Sequence, residues 1–314
     1  MINSVRNTVL SILNKNNYGY ISPSDFNLFS KQAQMDLFNE YFYQYNRQIN
    51  KENARSSGTG YADITKGIEE VIDMFSVTSY MHYGASNKFL LPSATTTGDD
   101  YYLINKALVY EKFRTSGANT SVSGTPNELV DSTATFTATV SVGDVVVNTT
   151  TYTSAEIISI VSDTVLSLDA DIFTATPQDY SIFLSVQNEA EKVNHSKITM
   201  LNSTSFTAPS EIFPVYTEEG ILMSLFPKTI IEPGRVVAQY IRYPKEPKWT
   251  YILLPNGEPA FDSTRSDYQD FELTLDDEVS LVTRILQYAG MSIREIQIVQ
   301  FAQAEEQQAN QTEA

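Results

Sequence analysis

The stretch Asp270–Gln303, DFELTLDDEVSLVTRILQYAGMSIREIQIVQFAQ, has the clearest helix start and stop signals of the chain. Thr274 and the acidic residues 276–278 suit a first helical turn, where a side-chain oxygen caps free amides and negative charge is stabilised. Apolar residues then recur with a helical period: Val279, Val282, Ile285, Leu286 and Ala289. The pattern predicts one complete helix that ends at Gly290.

A second helix start follows this glycine almost at once. Ser292-Ile-Arg-Glu295 has the spacing of a capping box, in which serine and glutamate each bond a free amide. Ile296, Val299 and Ala302 continue the segment with helical spacing. We therefore expect a tight pair of helices to close the fold.

The N-terminus also predicts two helices. Residues 2–13 carry an apolar stripe that stops before a turn at 16–19. Ser22 as N-cap, Pro23 in the first helical position and Asp25 in the first turn begin a long helix that runs to about Arg55. Its aromatic residues lie all round the helix, which predicts burial on several sides, one of which a neighbouring subunit could supply: Phe38, Tyr41, Phe42, Tyr43 and Tyr45.

The middle of the chain has strand patterns. Neither 77–113 nor 212–251 has enough strands to form a stable sheet alone, so we expect the two segments to pair. Between them, residues 115–186 are rich in Thr, Ser, Val and Asp and almost without Lys or Arg. Short alternating strands are predicted there at 134–140, 145–148, 156–162, 165–168 and 180–184, and a helix follows at 189–201.

These elements predict an α+β fold. A discontinuous main domain, 1–114 and 188–303, would contain an antiparallel sheet with helices at both ends. Residues 115–187 would form an inserted, small all-β module, barrel-like or sandwich-like, and 304–314 a flexible acidic and polar tail. The module could contact a neighbour or be a decoration without a ligand. The tail could be a frayed helix or an arm ordered by a partner.

Composition excludes several classes of protein. With 314 residues, 42% hydrophobic and 19% charged, the chain is ordinary globular material. The absence of cysteine excludes disulfide scaffolds, thiolate zinc sites and cysteine nucleophiles. No signal peptide or run of eighteen apolar residues is present, so neither export by that route nor a membrane interaction is expected. A formal charge of −17 argues against DNA wrapping; it could serve solubility or line a channel through which DNA slides.

Residues that could perform chemistry are sparse. The positions from Asn14 to Asp25 follow an EF-hand-like spacing, but Tyr18 and neutral asparagines replace the charged calcium ligands. His82 lies in an apolar, strand-like run, and His195 lacks a second histidine at metal-binding spacing. Neither a Gly-x-Ser-x-Gly elbow nor a phosphate-binding Gly-x-x-x-x-Gly-Lys loop occurs. We predict no catalytic residue, no metal and no cofactor.

Several segments resemble one known group of proteins. The run YIRYPKEPKWTY at 240–251, DFEL at 270–273 and DEVSLVTRILQYAGMSIRE at 277–295 look like the C-terminal part of virion structural proteins from crAss-like, short-tailed bacteriophages. YISPSDFN at 20–27 and KQAQMD at 31–36 resemble the same group. The β segments around 129–133, 143–148 and 159–168 resemble small barrel-like domains of phage tail and fibre proteins.

The resemblance implies a non-enzymatic ring protein of the head-to-tail connector. Twelve copies would dock on the portal and other connector or tail proteins in the virion, after assembly in the host cytoplasm. DNA would pass through the ring during genome ejection without specific binding, and no small-molecule substrate would be involved. The alternative is a receptor- or glycan-binding tail component, expected to be trimeric; a third option is a virion-associated hydrolase.

The candidate interface residues come from three places in the sequence. They are the aromatic residues of the long helix, the β-module, and the terminal helix with Arg294 and Glu295. Trp249, the single tryptophan, is either a core anchor between strands or an interface hot spot. The complete set of candidate residues is Phe38, Tyr41, Phe42, Tyr43, Tyr45, Trp249, Arg294 and Glu295.

Overall fold

The computed structural model describes residues 1–13, 21–54, 69–122, 126–255 and 257–293. Helices, a large and mainly antiparallel sheet and smaller sheets confirm the predicted α+β class. The chain divides into two compact units. The helical unit comprises Met1–Phe75 and Pro244–Ala314, and the sheet unit comprises Ser76–Tyr243. The predicted module 115–187 lies within the sheet unit and contains a sheet of its own.

The elements follow one another along the chain with these bounds. The helices are α1 (Ile2–Leu13), α2 (Pro23–Ala54), α3 (Phe136–Thr139), α4 (His195–Leu201) and α5 (Glu278–Ile293). The strands are β1 (Ser76–Tyr80), β2 (Tyr83–Ala85), β3 (Lys88–Leu90), β4 (Tyr101–Tyr110), β5 (Phe113–Ala118), β6 (Glu128–Val130), β7 (Val145–Asn148), β8 (Thr153–Ser162), β9 (Val165–Leu168), β10 (Asp179–Phe183), β11 (Gln187–Lys192), β12 (Val215–Glu219), β13 (Leu222–Phe226), β14 (Val236–Arg242), β15 (Tyr251–Leu253) and β16 (Pro259–Phe261).

The start of α2 follows the predicted capping. The Ser22 hydroxyl accepts the Asp25 N–H at 3.1 Å and donates to the Asp25 carboxylate at 2.7 Å. Capping of this kind fixes where a helix begins because it satisfies an amide that has no partner inside the helix. The helix is described over Pro23–Ala54, and the predicted limit near Arg55 lies outside the described residues.

The start of α5 is also as predicted, but its end is not. Thr274 and Asp277 form a capping box around a 3₁₀ turn, Leu275–Asp277, which leads into the helix. The helix then continues through Gly290 to Ile293, so the predicted stop at Gly290 is wrong. A glycine inside a helix costs only about 1 kcal/mol, and the buried side chains before it outweigh that cost. The second helix predicted from Ser292 lies largely outside the described residues, as does the tail.

The sheet unit contains an eight-stranded sheet in the order β1-β14-β4-β11-β12-β13-β3-β2. Ser76 in β1 pairs with Ile241 in β14, and Val109 in β4 pairs with Val236, so the segments expected to pair do so. Its neighbouring strands are antiparallel except β11 and β12, which run parallel. A buried apolar cluster that includes Phe89, Met223 and Tyr240 packs on it.

A second sheet of the same unit, in the order β5-β10-β7-β8-β9-β6, closes on itself. Beyond β5, the Thr120 N–H donates to the Val130 carbonyl of β6 at 2.9 Å, and Ser121 forms a bridge to Val130. The result is a small barrel-like module, as its sequence resemblance implied. Its core contains Phe136, Tyr180 and Ile182.

Two secondary-structure predictions in this unit are wrong. Residues 134–140 contain a helical turn, α3, instead of a strand, because one turn directs both Phe136 and Val140 into the barrel core. Residues 189–201 are not one helix; β11 occupies the first part, and only His195–Leu201 is helical. β11 forms hydrogen bonds with β4 on one side and with β12 on the other, and this long-range pairing overrides the local pattern.

A buried arginine ties the end of β4 to the turn before β14. Arg235, at 2% exposure, donates to the Tyr110 carbonyl at 3.0 Å and to the Glu111 carbonyl at 2.8 Å. It also forms ion pairs with Glu232 at 2.8 Å and Glu211 at 3.2 Å. Removal of the guanidinium would take this donor from the two carbonyls and would leave the two carboxylates without their cationic partner.

We expect Arg235→Met to lower the free energy of unfolding by about 3 kcal/mol, because buried acceptors left without a donor cost roughly 1–3 kcal/mol each. Urea unfolding followed by circular dichroism measures the change. Lys112→Met, at an exposed position of the same unit, serves as the control and should change stability by less than about 0.5 kcal/mol. Equal stability of the two variants would contradict the structural role of Arg235.

Candidate assembly surface

Trp249 is a core residue of the helical unit. Its side chain is 2% exposed, and its indole N–H donates to the Asn3 side chain of α1 at 3.1 Å. The Arg6 guanidinium lies 3.8 Å from the centre of the indole ring, within cation–π distance. The Asn27 side chain of α2 bonds both the N–H and the carbonyl of Trp249, at 2.8 and 3.2 Å. Of the two alternatives for Trp249, the structure therefore has the core anchor.

Polar contacts join α2 to α5 within the same unit. The Tyr41 hydroxyl donates to Asp277, the capping carboxylate of α5, at 2.5 Å. Burial, and then the hydrogen bond to Asp277, raise the pKa of Tyr41 well above its ordinary value. Arg284 forms an ion pair with Glu40, and Tyr288 donates to Asp36. Two of these contacts pair an acid on α2 with a donor on α5, the third pairs a donor on α2 with the acid that caps α5, and together they fix the register of the two helices.

The structure separates the predicted aromatic residues of α2 by environment. Phe38 is fully buried and meets Phe42 and Phe75 edge to face, with ring centres 5.0 and 5.1 Å apart. Tyr45 donates to Glu69 at 2.8 Å, while Tyr43 is 68% exposed. The chain itself therefore covers Phe38, and Tyr43 is the most accessible of the set. Arg294 and Glu295 lie outside the described residues, and the interface role of all these residues stays a prediction.

Among the exposed apolar residues of the helical unit that were missed as surface candidates, three lie on α2 or at the start of α5. Leu28 on α2, Leu275 in the 3₁₀ turn and Val279 on α5 are each more than half exposed. Val279 was expected to belong to the buried stripe of α5, and this is wrong, because the stripe begins at Leu281. The sequence signal that could have indicated their exposure is the four-residue spacing of Leu275 and Val279, both of which precede the first buried residue of α5. Together with Tyr43, these exposed residues are called the apolar helix surface. They are spread along the helices, since Leu28 and Tyr43 are fifteen positions apart on α2, about 22 Å along its axis.

Basic residues on the large sheet are paired with acids on nearby strands of the same sheet. Lys106 lies 3.3 Å from Glu189, Lys192 lies 2.6 Å from Glu218, and Lys88 lies 3.0 Å from Glu219. Exposed pairs of this kind add little stability. They do reduce the positive charge that these lysines present to a polyanion.

The two histidines have different surroundings. His82 stacks on Tyr152 with ring centres 3.9 Å apart, and burial lowers its pKa. His195 is exposed and lies 3.6 Å from Glu219. Within the described parts of the chain, no group of three or more histidines and carboxylates is arranged to hold a metal ion. The EF-hand-like residues 14–20 are outside those parts.

No helix among the described residues is both long and apolar enough to cross a membrane. Comparison with known proteins gives no relative, since the sequence matches no protein-family model and no curated protein.

The contact between Tyr288 and Asp36 predicts a pH dependence. Burial, and then the hydrogen bond to Asp36, raise the pKa of Tyr288 to about 12, whereas a tyrosine in the unfolded chain titrates near 10. The folded protein therefore keeps a proton between these values that the unfolded chain releases. The contribution to stability is present below pH 10 and is lost as the pH rises to 12.

We expect the free energy of unfolding to fall less steeply between pH 10 and 12 in Tyr288→Phe than in the native protein. The difference between the two slopes should correspond to up to about one proton released on unfolding. Urea titrations at half-unit intervals of pH measure both slopes. Thr283→Val, which removes a hydroxyl of α5 that does not titrate in this range, should retain the native slope. A native slope in Tyr288→Phe would show that this hydroxyl is not linked to folding.

Proposed function

We propose that this protein is a structural component of a short-tailed phage virion, which forms a ring of twelve copies between the portal and the tail. Each copy would offer one surface to a neighbour and receive a different one, as in any closed heterologous ring. The ring would continue the DNA channel and attach tail components. Its role would be mechanical, without catalysis, cofactor or small-molecule substrate.

The observation that supports this proposal most is the meeting of distant segments in the helical unit. The segments that resemble connector proteins come from both ends of the chain, yet Gln34 of α2 donates to the Lys245 carbonyl at 2.8 Å and accepts the Glu272 N–H at 3.1 Å. Asp270 accepts the Ile2 N–H at 2.7 Å. The resembling segments therefore share one set of long-range hydrogen bonds, as expected if they are parts of one module.

The surface of the chain is also suited to this role. A net charge of −17 disfavours adhesion to DNA, and the lysines of the large sheet named above are neutralised by neighbouring acids. Identical copies with this charge repel one another, so contacts between neighbours in a ring must offset that repulsion through exposed apolar side chains or paired charges. The apolar helix surface supplies exposed apolar side chains, and aromatic residues such as Tyr43 are common at the centre of interfaces.

We expect the purified protein to form closed rings of about twelve copies with the portal, visible in two-dimensional averages of electron micrographs. Tyr43→Ala should reduce ring formation about tenfold or more without loss of stability, since Tyr43 is exposed in the single chain. Phe38→Ala should instead lower the free energy of unfolding by about 3–5 kcal/mol, because it leaves a cavity in the core.

Lys31→Ala, at an exposed position on the same helix, is the matched control and should leave ring formation unchanged. A trimer, or a monomer that does not respond to the portal, would contradict the connector proposal. Binding to a glycan array by such a trimer would favour a receptor-binding tail component.

A further inference from the structure

The strand β15 belongs to the two-stranded hairpin β15–β16 and has no second neighbouring strand among the described residues. Both faces of β15 are apolar and accessible, with Tyr251 37% exposed, Ile252 50% exposed and Leu253 69% exposed. No charged residue occurs from Trp249 to Pro255. A two-stranded hairpin by itself is at best marginally stable in water. An exposed apolar edge strand without charges is the kind that pairs with another strand.

The hydrogen bonds of the hairpin show which backbone groups point outward. The Leu254 N–H donates to the Glu258 carbonyl at 2.9 Å, and the Asp262 N–H donates to the Thr250 carbonyl at 3.0 Å. In an antiparallel pair, bonded and non-bonded positions alternate. Tyr251 and Leu253 therefore direct their N–H and carbonyl groups away from β16, to the outer edge of β15.

The chain covers part of this edge but not all of it. Asn27 replaces a neighbouring strand at Trp249 by bonding both of its backbone groups. Beyond it, the outward groups of Tyr251 and Leu253 have no partner among the described residues. The other edge of the hairpin is blocked, since Pro259 has no N–H to offer. The open edge is thus confined to one short segment.

A cleft of about 470 Å³ follows this edge. It is lined by every residue from Lys248 to Leu253, together with Asn27, Arg265 and Asp267. Successive side chains of a strand point to opposite faces, so a cleft that touches consecutive residues must run along the backbone. An added strand would occupy such a cleft.

We propose that the outer edge of β15 pairs with the same edge of a second copy of this chain. In the antiparallel arrangement Tyr251 lies opposite Leu253 of the second copy, and Ile252 lies on the two-fold axis. Each of the two pairs then exchanges two backbone hydrogen bonds, and β16-β15-β15-β16 becomes one continuous sheet. Because two chains of charge −17 repel, an uncharged segment that is complementary to itself is where they can meet.

The expected association is weak. A contact of one short strand falls below the roughly 1,200 Å² of total buried area that marks stable interfaces. The dimer should therefore dissociate on dilution, and it should be separate from the portal-dependent ring. It does not rest on the connector proposal.

Sedimentation velocity over a hundredfold range of protein concentration tests the pairing. We expect the native protein to shift from monomer to dimer, and Leu253→Glu to remain monomeric because it places two negative charges across the edge. Ile221→Glu is the matched control, since Ile221, in the sheet unit, is 73% exposed and Leu253 is 69% exposed. It should dimerise like the native protein.

Amide hydrogen exchange gives a residue-level readout on the native chain. The Tyr251 and Leu253 amides should exchange about tenfold more slowly at high than at low protein concentration, because the dimer bonds them. The Ile252 amide, which faces β16, should change less. A monomer at all concentrations, a dimer that persists in Leu253→Glu, or unchanged exchange at Tyr251 and Leu253 would each overturn the inference.

Portal-dependent rings are measured separately, so the two proposals can fail independently. A monomeric native protein that forms rings would refute the strand pairing alone. A dimer that never forms rings would refute the connector proposal alone. Protection of Tyr251 and Leu253 only when portal is added would overturn the pairing of two free copies, because the edge would then be occupied only in the assembled complex.

Discussion

The helical unit depends on how Trp249 is held. Its indole is anchored by Asn3 and lies under the guanidinium of Arg6, both on α1, while its backbone is bonded by Asn27 on α2. One residue of an extended segment therefore fixes two helices that are distant from it in sequence. The indole of Trp249 is buried, and its indole N–H, backbone N–H and backbone carbonyl are all hydrogen-bonded. A shift of either helix would leave some of these polar groups unpaired, so the arrangement is specific.

The same contact determines what the neighbouring hairpin can do. Asn27 satisfies the edge of the extended segment at Trp249 and reaches no further, so β15 begins with its outer backbone groups open. Proline at 259 protects the opposite edge. Natural proteins commonly block exposed edges with proline or charge, and here one edge is blocked and the other is not. This asymmetry is the physical basis for the proposed pairing with a second copy.

Charge limits how copies of this chain can approach one another. With 38 acidic and 21 basic residues, contact between identical chains is favourable only where charges are absent or paired. The apolar helix surface and β15 meet this condition in different ways, the first through side chains and the second through backbone groups. A ring and a strand-paired dimer therefore need not compete for the same residues.

Local capping made the helix starts predictable from the sequence. Ser22 with Asp25, and Thr274 with Asp277, satisfy amides within a few residues, so the starts of α2 and α5 need no distant partner. The strands of the barrel-like module were predictable from another local signal, the alternation of polar and apolar residues. The exception is the segment 134–140, which contains α3. What failed depends on distant parts of the chain: β11 is a strand because β4 and β12 pair with it, and α5 passes Gly290 because its preceding turns are buried.

The candidate surface divides in the same way. The sequence by itself determined that α2 is rich in aromatic residues, that the chain is acidic and that few residues could perform chemistry. Only the tertiary structure decided that Phe38 and Trp249 are buried, that Tyr43 and Val279 are exposed, and that the outer edge of β15 has no partner within the described parts of the chain. The physical reason is that composition and periodicity record local preference, whereas burial and edge exposure depend on which distant segments pack there.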